Sequence, residues 1–205
     1  MNMRHFKQID RLRGWRETAF LAALAERNSI NLAVFARLVT SDGASLPGAD
    51  AVLHSLELVW RRLIADQPFR PMRRLPELEA LAEQLGEQDS FGAEAAGVAC
   101  ELIREALLSI ENDHIKRAQR AARRSLDLVV RYEELRLGDM PENDLIRALD
   151  ESEAVQVELA FQEAVCRQLQ ALKGPDPEAL ESLRALANQE GVSNLGISDV
   201  PEGER

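Results

Sequence analysis

Three groupings of residues in this sequence have types and spacings that could support chemistry. Glu111-Asn112-Asp113-His114 is a Glu-x-x-His, which on a helix sets a carboxylate and an imidazole on one face. A di-metal bundle site takes two such motifs and two further glutamates. Neither of the other histidines, His5 and His54, has a glutamate three positions earlier, so the second motif cannot be built. No metal and no other cofactor is expected. Asn112 and Asp113 read instead as capping residues for a helix that begins near Ile115. The second grouping is the basic segment 116–131, with Lys116, Arg117, Arg120, Arg123, Arg124 and Arg131. Such a helix could meet phosphate, but no aromatic is interleaved for stacking on bases. Segment 139–163 offers Asp139, Glu142, Asp144, Asp150, Glu151, Glu153, Glu158 and Glu163 against Arg147 alone. Pairing of the two segments, within one chain or across a dimer, needs no nucleic acid, and none is expected. The third grouping is "DQPFRPMRRLPE" at 66–77, where Phe69 and Met72 stand among Arg70, Arg73 and Arg74. Apolar groups flanked by arginines can anchor a protein partner. The reading preferred here folds Phe69 and Met72 back onto the core.

Enzymatic signatures are missing. There is no Gly-x-Ser-x-Gly elbow, no phosphate loop and no dinucleotide fingerprint. With three histidines, acid–base work would fall to carboxylates in a pocket, which a sequence cannot show to be buried. Cys100 and Cys166 lie in helical patterns without metal-like spacing and read as buried free thiols. Two smaller polar sets remain. Glu26 and Arg27 stand where an apolar helix meets "NS"; they read as a helix-end ion pair fixing the turn before Asn31, or else as part of a polar pocket. Asn194 reads as an amide serving the backbone of its own turn, or contacting a ligand.

The elements that must position these residues are helices. "ADAVLHSLELVWRRLI" sets Val52, Leu53, Leu56, Val59, Trp60, Leu63 and Ile64 on one stripe at spacings of three and four. Alternating strand patterns with hairpin turn pairs do not occur. The periodicity predicts an all-α bundle of about seven or eight helices. They span 4–27 with a break at Gly14, then 30–40, 49–65, 76–86, 91–110, 114–137, 142–172 and 177–190. Pro76 suits a first helical turn, and Gly191 suits a left-handed helix end.

One compact domain over 1–198 is expected, followed by an acidic tail over 199–205. The net charge of −10 is unevenly placed, +5 over residues 1–75 and −15 over 76–205. That balance disfavours general nucleic-acid binding. No apolar run approaches the roughly 20 residues of a membrane span, and the N-terminus has no secretory apolar segment. A cytoplasmic protein is expected.

"RLRGWRETAFLAALAERNSINLAVF" (11–35), Leu58-Val59-Trp60 and "ESLRALANQEGVSNLGI" (181–197) together resemble the YjaG-like family of bacterial helical proteins. The resemblance runs from about Gln8 to Ile197. Its most specific parts are Trp15 with Phe20, Glu26-Arg27, Trp60, and Ser193 to Ile197; the basic loop 66–76 falls outside it. It implies a single helical domain and no reaction. The resulting expectation is a non-catalytic protein-interaction or regulatory module. Its partners would be proteins, and self-association stays open. A nucleic-acid binder using 116–131 and an enzyme with a carboxylate pocket are the competing classes. Trp15 and Trp60 should be core anchors. "SNLGI" should dock on the bundle, with Leu195 and Ile197 buried, Gly196 permitting close approach and Asn194 satisfying the turn.

Overall fold

The longest helix organises the molecule. Between Gly14, which adopts φ +54, and Ser41 nothing interrupts helix hydrogen bonding, and a 27-residue helix forms over Trp15–Ser41. At 1.5 Å per residue it is about 40 Å long. The computed structural model describes residues 3–41, 43–112 and 116–198, with side chains from Phe6 onward. Among these residues nine α-helices form: α1 Met3–Ile9, α2 Trp15–Ser41, α3 Ala49–Ala65, α4 Leu75–Gly86, α5 Phe91–Glu111, α6 Ala118–Leu137, α7 Glu142–Asp150, α8 Glu153–Ala171 and α9 Pro177–Asn188. No strand forms among them; a lone antiparallel bridge joins Val192 to Ser198.

The N-terminal half of α2 is buried on every side, from Glu17 through Asn28 and again at Ile30 to Leu32. A helix apolar all round belongs at the centre of a bundle. Its longest contact is with α5, and α3, α6, α8 and α9 complete its surroundings. Small residues let the two long helices approach: Ala19, Ala22 and Ala23 on α2, and Ala95, Ala96, Ala99 and Ala106 on α5 are buried. Nearer the other end of α2, a Cβ at Gly92 would lie 2.9 Å from the Phe35 ring, so only glycine fits there without a shift. Buried apolar residues from Phe6 to Leu195 form one cluster, with Trp60 fully enclosed. Trp15 is only half-buried; the Arg16 guanidinium lies 4.6 Å above its ring.

Two of the expected boundaries are overturned. No break occurs between 27 and 30, because Asn28 and Ser29 turn their side chains back on the helix. Asn28 Nδ2 donates to Leu24 O at 2.9 Å and Ser29 Oγ to Glu26 O at 2.7 Å. The expected helix 142–172 is instead two. Ser152 Oγ accepts from Val155 N and starts α8, while the same hydroxyl donates to Glu133 Oε2 at 2.9 Å. The start of α6 is also corrected. Its first N–H groups, of Arg117 and Ala118, donate to Glu17 Oε1 at 2.6 and 3.0 Å, so a buried carboxylate of α2 does the capping from across the core. Asn112 ends α5 instead, and Asp113 and Ile115 lie outside the described residues.

The segment after α9 docks as expected, by a different set of bonds. Leu195 is buried and Ile197 packs against the core. The turn is served by Ser193, whose Oγ accepts from Leu195 N and Ile197 N, and whose N–H donates to Ile197 O at 2.9 Å. Gly196 is required by its φ of +73, not by close approach, since nothing stands within 4 Å of an added Cβ. The helix end assigned to Gly191 is made by Gln189, which takes the left-handed conformation at φ +46; Glu190 at +56 and Gly191 at +79 continue it. A chain ending at Ser198 should therefore melt about as the full chain does. One ending at Ser193 should lose about 2–4 kcal/mol, from unburied Leu195 and an orphaned partner of Asn194. Thermal melts of the two truncations check this, and equal stability would refute docking.

Candidate functional site

The polar residues in the middle of α2 face inward, and the bundle is built to meet them. Arg27 extends into the core beside Glu158 of α8, with Nε 3.3 Å from Oε2, the two side chains being 4% and 0% exposed. Glu158 Oε1 accepts from Ser125 Oγ of α6 and from Gln162 Nε2, both at 2.8 Å. Gln162 also donates to Ala122 O, and Asn28 Nδ2 donates to Ser125 Oγ at 3.0 Å. The Arg27 guanidinium lies 4.7 Å over the Phe161 ring, and its Nη1 donates to Gln189. Burial pushes the Glu158 carboxyl above the usual glutamate range against the pull of Arg27, Gln162 and Ser125. The same burial lowers the Arg27 guanidinium, with Glu158 opposing it.

Glu26, the preceding residue, belongs to a separate network. Its Oε2 accepts from Trp60 Nε1 at 2.7 Å, and its Oε1 accepts from Arg184 Nε of α9 at 3.3 Å. Arg184 also donates to Glu57 Oε2 at 2.6 Å, and Arg61 donates to Glu57 Oε1 at 3.0 Å. Glu26, Glu57, Arg61 and Arg184 line a surface depression of about 680 Å³ between α3 and α9, with Ile64 and Asn188 on its wall. Burial raises the Glu57 carboxyl, but hydrogen bonds from Arg184 and Arg61 outweigh it and hold the carboxyl below its ordinary value. Arg184 in turn is raised: burial lowers it, and the two glutamates prevail.

The structure thus brings Glu26, Arg27, Asn31 and Asn194 into one region, but not as a helix-end ion pair. Glu26 and Arg27 lie well inside α2, and each binds a different residue of α9 or the segment after it. Asn31 Nδ2 donates to Asn194 Oδ1 at 3.0 Å, and Asn194 Nδ2 reaches Ser125 O at 3.5 Å. Asn194 therefore ties the docked segment to α2 and α6, and does not serve its own turn. Glu57, Ser125, Glu158, Gln162, Arg184 and Gln189 were missed from the sequence. A signal existed on α8, where Glu158 and Gln162 interrupt the stripe of Val155, Phe161, Val165 and Leu169.

The other candidates lie elsewhere. Phe69 is half-buried against the core, but Met72 is 53% exposed and does not fold back, because the short 3-10 turn Pro71–Arg74 buries Pro71 in its place. Arg70 and Arg73 are exposed, and Arg74 lies 3.7 Å from Glu77. In 116–131 every cation has a partner. Lys116 pairs with Asp10, Arg117 and Arg120 with Glu105, Arg124 with Glu101, and Arg131 with Glu94, while Arg123 lies 5.0 Å over Phe6. The acids of 139–163 were expected here; those of α5 take their place, since α5 packs directly beside α6. Glu111 is exposed at the end of α5, and His114 lies outside the described residues. No group of three or more His, Cys, Asp or Glu with metal-site geometry occurs among the described residues. Both cysteines are buried and unpaired as expected; burial pushes Cys100 up to about 12, and burial with Glu163 pushes Cys166 up to about 11.

A family model described as "Protein of unknown function (DUF416)" matches residues 4–198. The chain belongs to the DUF416 family. An uncharacterised protein of Haemophilus influenzae is 29% identical over 93% of this chain and 95% of its own length. The uncharacterised protein YjaG of Escherichia coli is 25% identical over 93% of this chain and 94% of its own length. The YjaG-like resemblance of 11–35, 58–60 and 181–197 is borne out. A crystal structure of a DUF416 family protein from Shewanella baltica superposes with a TM-score of 0.81 at 22% identity, over 97% of this chain and 99% of that one. The all-helical fold is thereby that of the DUF416 family.

In chemical terms the charges of the two networks are matched by opposite charges, with Arg27 Nε and Glu158 Oε2 meeting as an ion pair without a hydrogen bond. Glu57 is held below its ordinary value by Arg184 and Arg61, the opposite of a carboxyl poised near neutrality as a general acid. The buried Arg27–Glu158 pair instead carries structural weight. Arg27→Met or Glu158→Leu alone strands a buried charge and should cost about 3–5 kcal/mol. The double variant should cost less than the sum by about 1–3 kcal/mol, measured by denaturant unfolding; strict additivity would refute the coupling. Glu57 makes a pH prediction. Its carboxyl titrates lower in the folded than in the unfolded chain. Its contribution is therefore present above the ordinary glutamate range and lost as pH falls through its folded value. Glu57→Gln should flatten the loss of stability between about pH 5 and 3, and an unchanged acid limb would refute the assignment.

Proposed function

We propose that this DUF416 protein is a non-catalytic protein-interaction or regulatory module, and that α7 is its interaction element. The observation that carries the reading is that α7 has an apolar stripe and yet buries none of its nine residues. Leu145, Ile146 and Leu149 lie at one-and-four spacing on one side of it; Leu145 and Leu149 are half-covered and Ile146 is 52% exposed. A stripe that the chain's own core leaves uncovered marks a surface meant for another molecule. Leu135 on the last turns of α6 and Val157 near the start of α8 are exposed as well, and α7 packs on both helices. Among the described residues, three of the six large exposed apolar side chains thus come from consecutive, mutually packed elements.

The competing readings have less support. The cations of 116–131 are occupied by carboxylates of α5 or stacked on Phe6, which leaves less charge for phosphate. At the depression between α3 and α9, Glu57 is held below its ordinary value by Arg184 and Arg61, the opposite of a group tuned for proton transfer. Among the described residues no helix is long and apolar enough to cross a membrane. Ile146→Asp should shift stability by no more than about 0.5 kcal/mol, as surface substitutions do, whereas Val165→Asp in the core should unfold the chain. A melting temperature for Ile146→Asp well below that of the native chain would show that α7 is structural and would remove this reading.

A further inference from the structure

We infer that the face formed by the end of α6, α7 and the start of α8 takes a basic, amphipathic helical segment of another protein. The inference rests on the reading of α7 as an interaction element and adds the chemistry of what it binds. Its first support is charge. Between residues 134 and 153 seven acidic side chains are exposed, against two cations, Arg136 and Arg147. Both cations are already paired, Arg136 with Glu133 and Arg147 with Asp144, each at 2.8–2.9 Å. The apolar side chains Leu135, Ile146 and Val157, exposed by 59, 52 and 41%, stand within this acidic surround. A partner that covers them must bring positive charge to the rim, since like charges brought together across an interface are penalised.

The same charge argues against the other occupants. A second copy laid face to face would oppose two surfaces of net charge −5 within a Debye length of about 8 Å. An anionic lipid surface would be repelled for the same reason. Strand addition has no edge to use among the described residues, which contain no sheet. An amphipathic helix, which presents apolar side chains at three-and-four spacing with cations beside them, is the recognition mode that matches an apolar stripe ringed by acids. A depression of about 340 Å³ between α6, α8 and the segment 189–196 adjoins this face at Val157, its one exposed apolar residue there.

The test is a fluorescence-anisotropy titration of the full chain with labelled peptides of about 18 residues, long enough for a marginal helix. One has lysines and leucines at helical spacing, one the same composition scrambled, and one glutamates in place of lysines. The basic amphipathic peptide should bind at least about tenfold tighter than either other and weaken with salt. Ile146→Asp and Leu135→Ser should each weaken it about tenfold, and Leu38→Asp, on the far half of α2, should not. Sedimentation and a vesicle pulldown on phosphatidylserine-containing liposomes accompany the titration. Equal binding of the scramble, equal loss with Leu38→Asp, a dimer abolished by Ile146→Asp, or capture by the liposomes would each overturn the inference. If the Ile146 and Leu135 variants melt like the native chain yet no peptide is preferred, only the partner's chemistry is wrong. If they unfold, the reading of α7 has failed.

Discussion

A guanidinium and a carboxylate removed from water together must answer each other, and Arg27 and Glu158 do so as an ion pair at the centre of the bundle. The pair spans α2 and α8. Ser125 brings in α6 and Gln162 reaches the α6 backbone, so three helices have their rotation about their axes set by one carboxylate. An apolar contact of the same area would tolerate sliding by a fraction of a turn, whereas hydrogen bonds of 2.8–3.0 Å do not. The pair need add little net stability to matter, because desolvation offsets much of the attraction. What it adds is one register for helices whose alanine-rich surfaces could otherwise pack in several.

The C-terminal segment depends on the same centre. Arg27 holds Gln189 and Asn31 holds Asn194, so two residues four apart on α2 clamp both ends of the reversal after α9. Within it Gln189 and Glu190 both take positive φ, a conformation that costs a non-glycine residue roughly 1–2 kcal/mol. That cost is sustained because Asn188 Oδ1 accepts from Gly191 N at 3.1 Å and because Leu195 is buried beyond the turn. The docked segment is therefore part of the core's closure, and the polar seam of α2 is what it closes upon.

Much of this fold was legible because helical periodicity is a local signal. The spans of α3, α4, α5 and α9 follow from their stripes, with Pro76 marking the first turn of α4. Failures came where a polar residue's partner lies far away in sequence. Asn28 and Ser29 read as a stop because such residues usually cap, yet Asn28's partner is Ser125, 97 positions on. Ser152 read as helix interior because its bond to Glu133 could not be foreseen. Asn194 was correctly singled out, but its partners Asn31 and Ser125 are 163 and 69 positions away. Of the site, Glu26 and Arg27 stood out as an odd charged pair in an apolar run, while Arg184 was hidden as one more arginine on an amphipathic helix. A sequence marks which polar residues are out of place; only the fold says what they meet.

The placement of charge follows from the same packing. Because α5 lies against α6, its Glu94, Glu101 and Glu105 are matched to Arg131, Arg124, Arg120 and Arg117. This ladder occupies Arg117, Arg120, Arg124 and Arg131, and the acids between residues 134 and 153 have only Arg136 and Arg147 among them. Internal neutralisation at one face thus concentrates the surplus negative charge at the next, where α7 carries its uncovered apolar stripe. Such a surface keeps copies apart by self-repulsion while its apolar centre stays available. An apolar patch ringed by neutral residues would pair with any similar patch. Under the proposed reading of α7, a patch ringed by unneutralised carboxylates would select for a partner that brings cations, and its specificity would come as much from what the charge repels as from what it attracts.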